Sequence, residues 1–117
     1  MRYKELIKKK INRKNENFIF CFSYWSIIVT EYLIKNGYKV RAFLDNDRNK
    51  FNKSYQKLSL KVQEPINIRR YVNDEKLYIT VINSSYETYL NIKNDLIQSD
   101  DNYEYKLNYL NLSILNK

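Results

Sequence analysis

The apolar pattern changes period twice between residues 17 and 47. Phe18 to Phe22 is a short apolar run bounded by Asn15, Glu16 and Asn17. Four to eight such residues suit a strand buried on both faces. From Trp25 to Asn36 the spacing turns helical, with Ile28, Val29, Tyr32 and Leu33 on one face. Ser23 or Ser26 can cap this helix, because a hydroxyl accepts the orphan N–H groups of a first turn. Lys35-Asn36-Gly37 is a stop signal, with the chain's one glycine where positive φ is tolerated. Tyr38 to Leu44 then alternates, placing Val40, Ala42 and Leu44 on one side, and Asp45-Asn46-Asp47 closes the strand. Two strands joined by so short a helix are expected to run parallel, with a right-handed crossover.

Further on, residues 48–57 are polar, basic and aperiodic, and read as a solvated loop whose Lys50, Lys53 and Lys57 are candidates to meet a phosphate. Pro65 suits the first turn of a short helix over 66–72. Leu77 to Ile82, β-branched and aromatic throughout, reads as a central buried strand. Asn83-Ser84-Ser85 opens the next helix, with Ser84 or Ser85 as cap and Glu87 in the favourable first turn. Its expected apolar stripe is Tyr86, Leu90, Lys93 and Ile97 with Tyr89 and Leu96, through about Gln98. Tyr103, Tyr105, Leu107 and Tyr109 alternate like an edge or fifth strand. Leu110, Leu112, Ile114 and Leu115 follow another register, and suit either a second strand or an edge cover. At the other end, residues 1–14 form a basic amphipathic helix with Tyr3, Leu6, Ile7 and Ile11 as its stripe, expected to lie packed on the sheet edge.

Composition narrows the chemistry. A chain of 117 residues, 44% hydrophobic, makes one domain with a real core, read as 1–14 helix and 15–117 domain. The chain has no histidine and one cysteine, which removes Ser–His and Cys–His nucleophile systems and leaves a zinc site almost no ligands. Cys21 is read as a small core hydrophobe. With no apolar run near 18 residues, no signal-peptide core and no cysteine pair, a cytoplasmic location is expected. The net charge of +8 is uneven: residues 1–14 hold seven Lys/Arg and one Glu, residues 39–70 nine basic and three acidic, and residues 71–117 four basic and seven acidic. Nucleic-acid binding through the basic arm and the 48–57 loop is therefore disfavoured, because the acidic half opposes it and no recognition motif is present.

At residues 17–99 the chain resembles the small Rossmann-like domains of bacterial surface-polysaccharide and glycan biosynthesis. An example is the sugar-nucleotide-binding domain that precedes the catalytic part of some nucleotide-sugar acetyltransferases. Those domains read GxGxxG, helix, a strand ending FxDxx, a lysine-rich loop, a strand after GxxV, and a later VIA strand. Here Cys21, Ser23 and Ser26 stand at the glycine positions, AFLDND (42–47) matches well, SLKV (59–62) stands for GxxV, and VINSS (81–85) ends a strand. The resemblance implies a further strand at about Leu58 to Val62. It also implies an α/β fold: a three-layer Rossmann-like open parallel sheet of about four to five strands, preceded by an N-terminal helix. A side chain at the second glycine position obstructs close backbone approach to a pyrophosphate, so the site is expected to be degenerate.

In an open parallel sheet, ligands sit beyond the carboxyl ends of the strands. The tips there are Ser23-Tyr24-Trp25-Ser26, Asp45-Asn46-Asp47 and Asn83-Ser84-Ser85. Their hydroxyls, amides and carboxylates suit hydrogen bonding to a sugar or nucleoside, with Tyr24 or Trp25 as a stacking surface. Asp45 stands where such folds place the ribose-binding acid. The expected ligand is a nucleotide or nucleotide-sugar, the expected partner a glycan-biosynthesis enzyme or a second copy of the chain. No cofactor is specified by these residues, and no catalytic constellation is complete. The alternative is a docking or dimerisation protein whose cleft is filled by Tyr24 and Trp25.

Overall fold

The computed structural model describes residues 2–51, 54–55, 58–71 and 73–111. Helix α1 (Arg2–Lys10) leads into β1 (Glu16–Phe20), then α2 (Tyr24–Lys35) and β2 (Lys39–Leu44). After these come β3 (Ser54–Tyr55), β4 (Leu60–Gln63), β5 (Leu77–Asn83), α3 (Tyr86–Ser99) and β6 (Leu107–Asn111). The sheet order is β3-β4-β2-β1-β5-β6. Every pairing is parallel except the β3–β4 hairpin. The five parallel strands and the helices around them form the expected Rossmann-like α/β fold, with the N-terminal helix in front.

One apolar layer joins Ile7 of α1, Ile11 just past its end, and Val29 and Leu33 of α2 to Ile19, Phe43 and Ile82 of the sheet. The leading helix thus packs its stripe into the core, and its C-terminal end is tied to the edge strand. Lys10 Nζ donates to the Tyr109 carbonyl at 2.8 Å, and Asn108 Nδ2 donates to the Lys10 carbonyl at 2.6 Å. The other layer sets Phe18, Phe20, Ala42, Leu44, Ile79 and Val81 against α3 and two 3₁₀ helices, Pro65–Tyr71 and Asp101–Lys106.

Several details differ from the sequence reading. The first strand ends at Phe20, because Cys21 turns into the left-handed region at φ 81°. On β2, Asn17 faces Val40 while Phe18 faces Ala42, so Arg41 is an extra residue and Val40 points away from the face used by Ala42 and Leu44. A bulge shifts the side-chain parity of a strand by one. Arg41 is held there by Glu16 and by Asp74 Oδ2 at 3.4 Å, with its guanidinium 4.6 Å from the Tyr71 ring centroid. The short helix at Pro65 is 3₁₀ and runs Pro65–Tyr71. The alternation at 103–109 does not make one strand: Tyr103 lies fully buried in a 3₁₀ helix, and the strand starts at Leu107. On α3 the buried positions are Ile92 and Leu96, whereas Tyr86 and Leu90 are exposed. Lys53, Lys57, Val72, Leu112, Ile114 and Leu115 lie outside the described residues, as do the side chains of Tyr3 and Tyr105.

Candidate functional site

The strand order reverses direction between β1 and β5, and this is where a parallel α/β sheet opens a crevice at its carboxyl edge. A cleft of about 450 Å³ lies there. That is within the range of small-ligand sites, roughly 300–1,000 Å³. The tips of β1, β2 and β5 all reach it: Ser23, Asp45, Asn46, Asn83 and Ser84 line the cleft.

The turn after β1 is closed upon itself. The Cys21 N–H donates to the Leu44 carbonyl at 2.7 Å, and the Phe22 N–H to Asp45 Oδ2 at 2.8 Å. Ser23 caps α2 in a reciprocal box: Ser26 Oγ accepts the Ser23 N–H at 2.8 Å, and Ser23 Oγ accepts the Ser26 N–H at 3.4 Å. Such a box satisfies first-turn donors internally. Four amides of the glycine-motif turn therefore have protein acceptors.

Asp45 is nearly buried and binds on both sides. Its Oδ1 accepts the Asp47 N–H at 2.9 Å, while Oδ2 also faces Lys50 Nζ at 3.4 Å. The same ammonium donates to the Phe22 carbonyl at 2.9 Å. Lys50 thus bridges the β2 tip to the β1 turn, and it is the one cation lining the cleft among the described residues. Asp47 faces the other way in function: its Oδ1 caps the short 3₁₀ turn Arg48–Lys50 through the Asn49 N–H.

At the β5 tip, Asn83 Oδ1 accepts the Ser85 N–H at 2.8 Å and Nδ2 approaches Cys21 Sγ at 3.6 Å. Tyr109 donates to the Asn83 carbonyl at 3.0 Å and stacks on Tyr89, centroids 4.7 Å apart. Burial pushes the Cys21 thiol up from its ordinary value; the Asn83 contact opposes this, Asp45 adds to it, and Lys50 opposes it. A thiol held protonated at neutral pH is a poor nucleophile.

The remaining candidates fall outside the cleft lining. Ser26 is buried in its cap, and Ser85 accepts the Thr88 N–H at 3.2 Å as the cap of α3. Tyr24 and Trp25 form an edge-to-face pair at 5.5 Å on the surface, 71% and 39% exposed. They do not fill the cleft, contrary to the docking alternative in the form the sequence suggested. Three polar lining residues, all on α3, are not among the sequence candidates: Thr88, Asn91 and Asp95. Their spacing of three and four puts them on one helical face, a polar signal hidden beside the apolar stripe. Among the described residues no group of three or more His, Cys, Asp or Glu is placed to hold a metal ion. No described helix is long and apolar enough to cross a membrane.

Strand order, crossover pattern and cleft position together define a Rossmann-like α/β domain. The chain is similar in structure to a UDP-D-quinovosamine 4-dehydrogenase from Vibrio fischeri, with a TM-score of 0.63 and 18% sequence identity over 88% of this chain and 84% of that one. At that identity the likeness shows the fold alone. No family model matches the sequence, and a search of curated proteins gives no match.

Proposed function

We propose that the chain is a non-catalytic, degenerate Rossmann-like domain that binds a nucleotide or nucleotide-sugar in the cleft between β1 and β5. The observation that carries this reading is the convergence of three polar strand tips on one open cleft at the point where the sheet order reverses. Ser23, Asn46, Asn83 and Ser84 offer hydrogen-bonding groups there, joined by Thr88, Asn91 and Asp95. Asp45 serves the ribose side through whichever lone pairs its three partners leave.

The chemistry on offer is recognition. Hydroxyls, amides and a tied carboxylate bind and orient a polyhydroxylated ligand, and the protonated Cys21 adds no activated nucleophile. The fold-level likeness to a UDP-sugar enzyme and the ordered motifs at 17–99 support a place beside the enzymes of bacterial surface-glycan synthesis, in the cytoplasm. Calorimetric titration with UDP-sugars, CDP-sugars, NAD and coenzyme A tests the reading. Saturable binding of a nucleotide-sugar, weakened by Asn83→Ala, is expected. Absence of binding by all four classes at millimolar ligand overturns it.

A second reading, a docking or dimerisation module, is favoured by one observation: the exposed Tyr24–Trp25 pair beside the cleft. Sedimentation equilibrium of the protein and its Trp25→Ala variant separates the two, since only docking between copies ties assembly to that ring.

A further inference from the structure

We propose that Lys50 is the group through which the cleft recognises phosphate, and that it meets a single phosphate rather than a pyrophosphate. The inference rests on the nucleotide-binding reading above and goes beyond it by assigning the charge recognition to one residue.

Rossmann-like domains hold a pyrophosphate on backbone N–H groups at the first helix N-terminus, which glycines let it approach. Here the amides of Cys21, Phe22, Ser23 and Ser26 already donate within the protein. The Ser23 side chain also stands where the second glycine would clear a path. An anion seated there would have to break the Ser23–Ser26 box and the Asp45 bond to Phe22 before gaining equivalent partners. Little net affinity remains in such an exchange.

Lys50 occupies the same place from the other side. Its Nζ sits within hydrogen-bond distance of the Phe22 carbonyl, hence directly over the turn, and its side chain is 34% exposed. An ammonium has three donors, and the described partners are the Phe22 carbonyl and Asp45. Its third donor and its open face are available to a ligand in the cleft. The charge around it sets the limit. Asp45 and Asp95 both line the cleft with this one lysine, so a second phosphate enters a site with more negative than positive charge.

The experiment is calorimetric titration of the full chain with uridine, UMP and UDP, at low and at physiological salt. The proteins are the wild type, Lys50→Met and Lys50→Arg, each checked for an unchanged thermal melt. Met keeps the length of the stem without the charge, and Arg restores the charge. The expected result is that wild type binds UMP about tenfold tighter than uridine. UDP should add less than about threefold, because four amides of the turn already have protein acceptors. Lys50→Met should abolish the UMP advantage over uridine and its salt dependence, and Lys50→Arg should restore both. UMP binding that survives Lys50→Met within twofold overturns the inference and leaves the proposed function standing. So does UDP binding tenfold or more tighter than UMP, which places the phosphates on the turn. A wild type that binds none of the three removes this inference. If the nucleotide-sugar titration is also negative, the proposed function goes with it.

Discussion

Asp45 Oδ2 accepts the Phe22 N–H at 2.8 Å, so the tip of β2 is fastened to the turn that follows β1. This one carboxylate also receives the Asp47 amide and the Lys50 ammonium. The acid at the strand end is therefore structural before it meets any ligand. Replacing it with Ala leaves the part-buried Phe22 and Asp47 amides without this acceptor and removes one partner of Lys50. Asp45→Ala should lower stability by about 2–3 kcal/mol, read as a lower urea midpoint at constant slope. A loss below ~0.5 kcal/mol would mean that the tie carries no net energy.

Gly37 ends α2 at φ +85°, and an added Cβ would meet nothing nearer than Arg13 Cδ at 4.0 Å. Space is available, so only the backbone strain is tested. Gly37→Ala should cost about 1 kcal/mol, visible as a reduced melting temperature with an unchanged far-UV spectrum.

The leading helix offers a sharper contrast. Ile7 and Ile11 are buried against the sheet, in keeping with the packed basic helix expected of the first fourteen residues. Ile7→Ala should cost roughly 2–4 kcal/mol, as for other large-to-small core changes. An arm that merely rests in solvent would show a change near zero in the same denaturation experiment.

Alkaline pH should unfold the protein early. Burial raises Cys21 above its ordinary value of 9.0, and Tyr103 and Tyr109 above 10.0. Asp100 adds to the Tyr103 shift while Arg69 opposes it; Cys21 and Tyr86 add to that of Tyr109. Each group releases its proton sooner in the unfolded chain. The stability they confer is therefore complete below the ordinary values and declines as pH rises through the folded ones. Melting temperature followed across this range should fall steadily from about pH 9. Tyr103→Phe should flatten the decline. It should also raise stability at neutral pH by up to about 1 kcal/mol, because the buried hydroxyl has no hydrogen-bond partner among the described residues. A Phe variant less stable than wild type at neutral pH would show that the hydroxyl is satisfied.

The β1–α2–β2 unit was legible because three local signals agreed: an apolar run, a serine cap and a glycine stop. The strand expected at Leu77 to Ile82, observed as Leu77–Asn83, was legible from its β-branched and aromatic content. The convergence of Ser23, Asp45 and Asn83 followed from parallel topology, which places all such tips on one edge. What stayed hidden was long-range or inverted in pattern. The Lys50 bridge to Phe22 spans 28 positions in sequence, and no local rule pairs a loop lysine with a carbonyl. Tyr103 mimicked strand alternation while belonging to a 3₁₀ helix, at even spacing from Tyr109 of the strand that follows. The cleft face of α3 was missed because Thr88, Asn91 and Asp95 are polar, and the reading followed the apolar side of that helix.

The additional residue at Arg41 reverses the face that even-numbered positions of β2 present to the layers. Before it, Val40 speaks to the α1–α2 side; after it, Ala42 and Leu44 speak to the α3 side. Excising that arginine would not simply shorten the strand. It would let Val40 and Ala42 follow each other opposite Asn17 and Phe18 as an unbroken ladder, at the loss of the Arg41 contacts to Glu16, Asp74 and Tyr71.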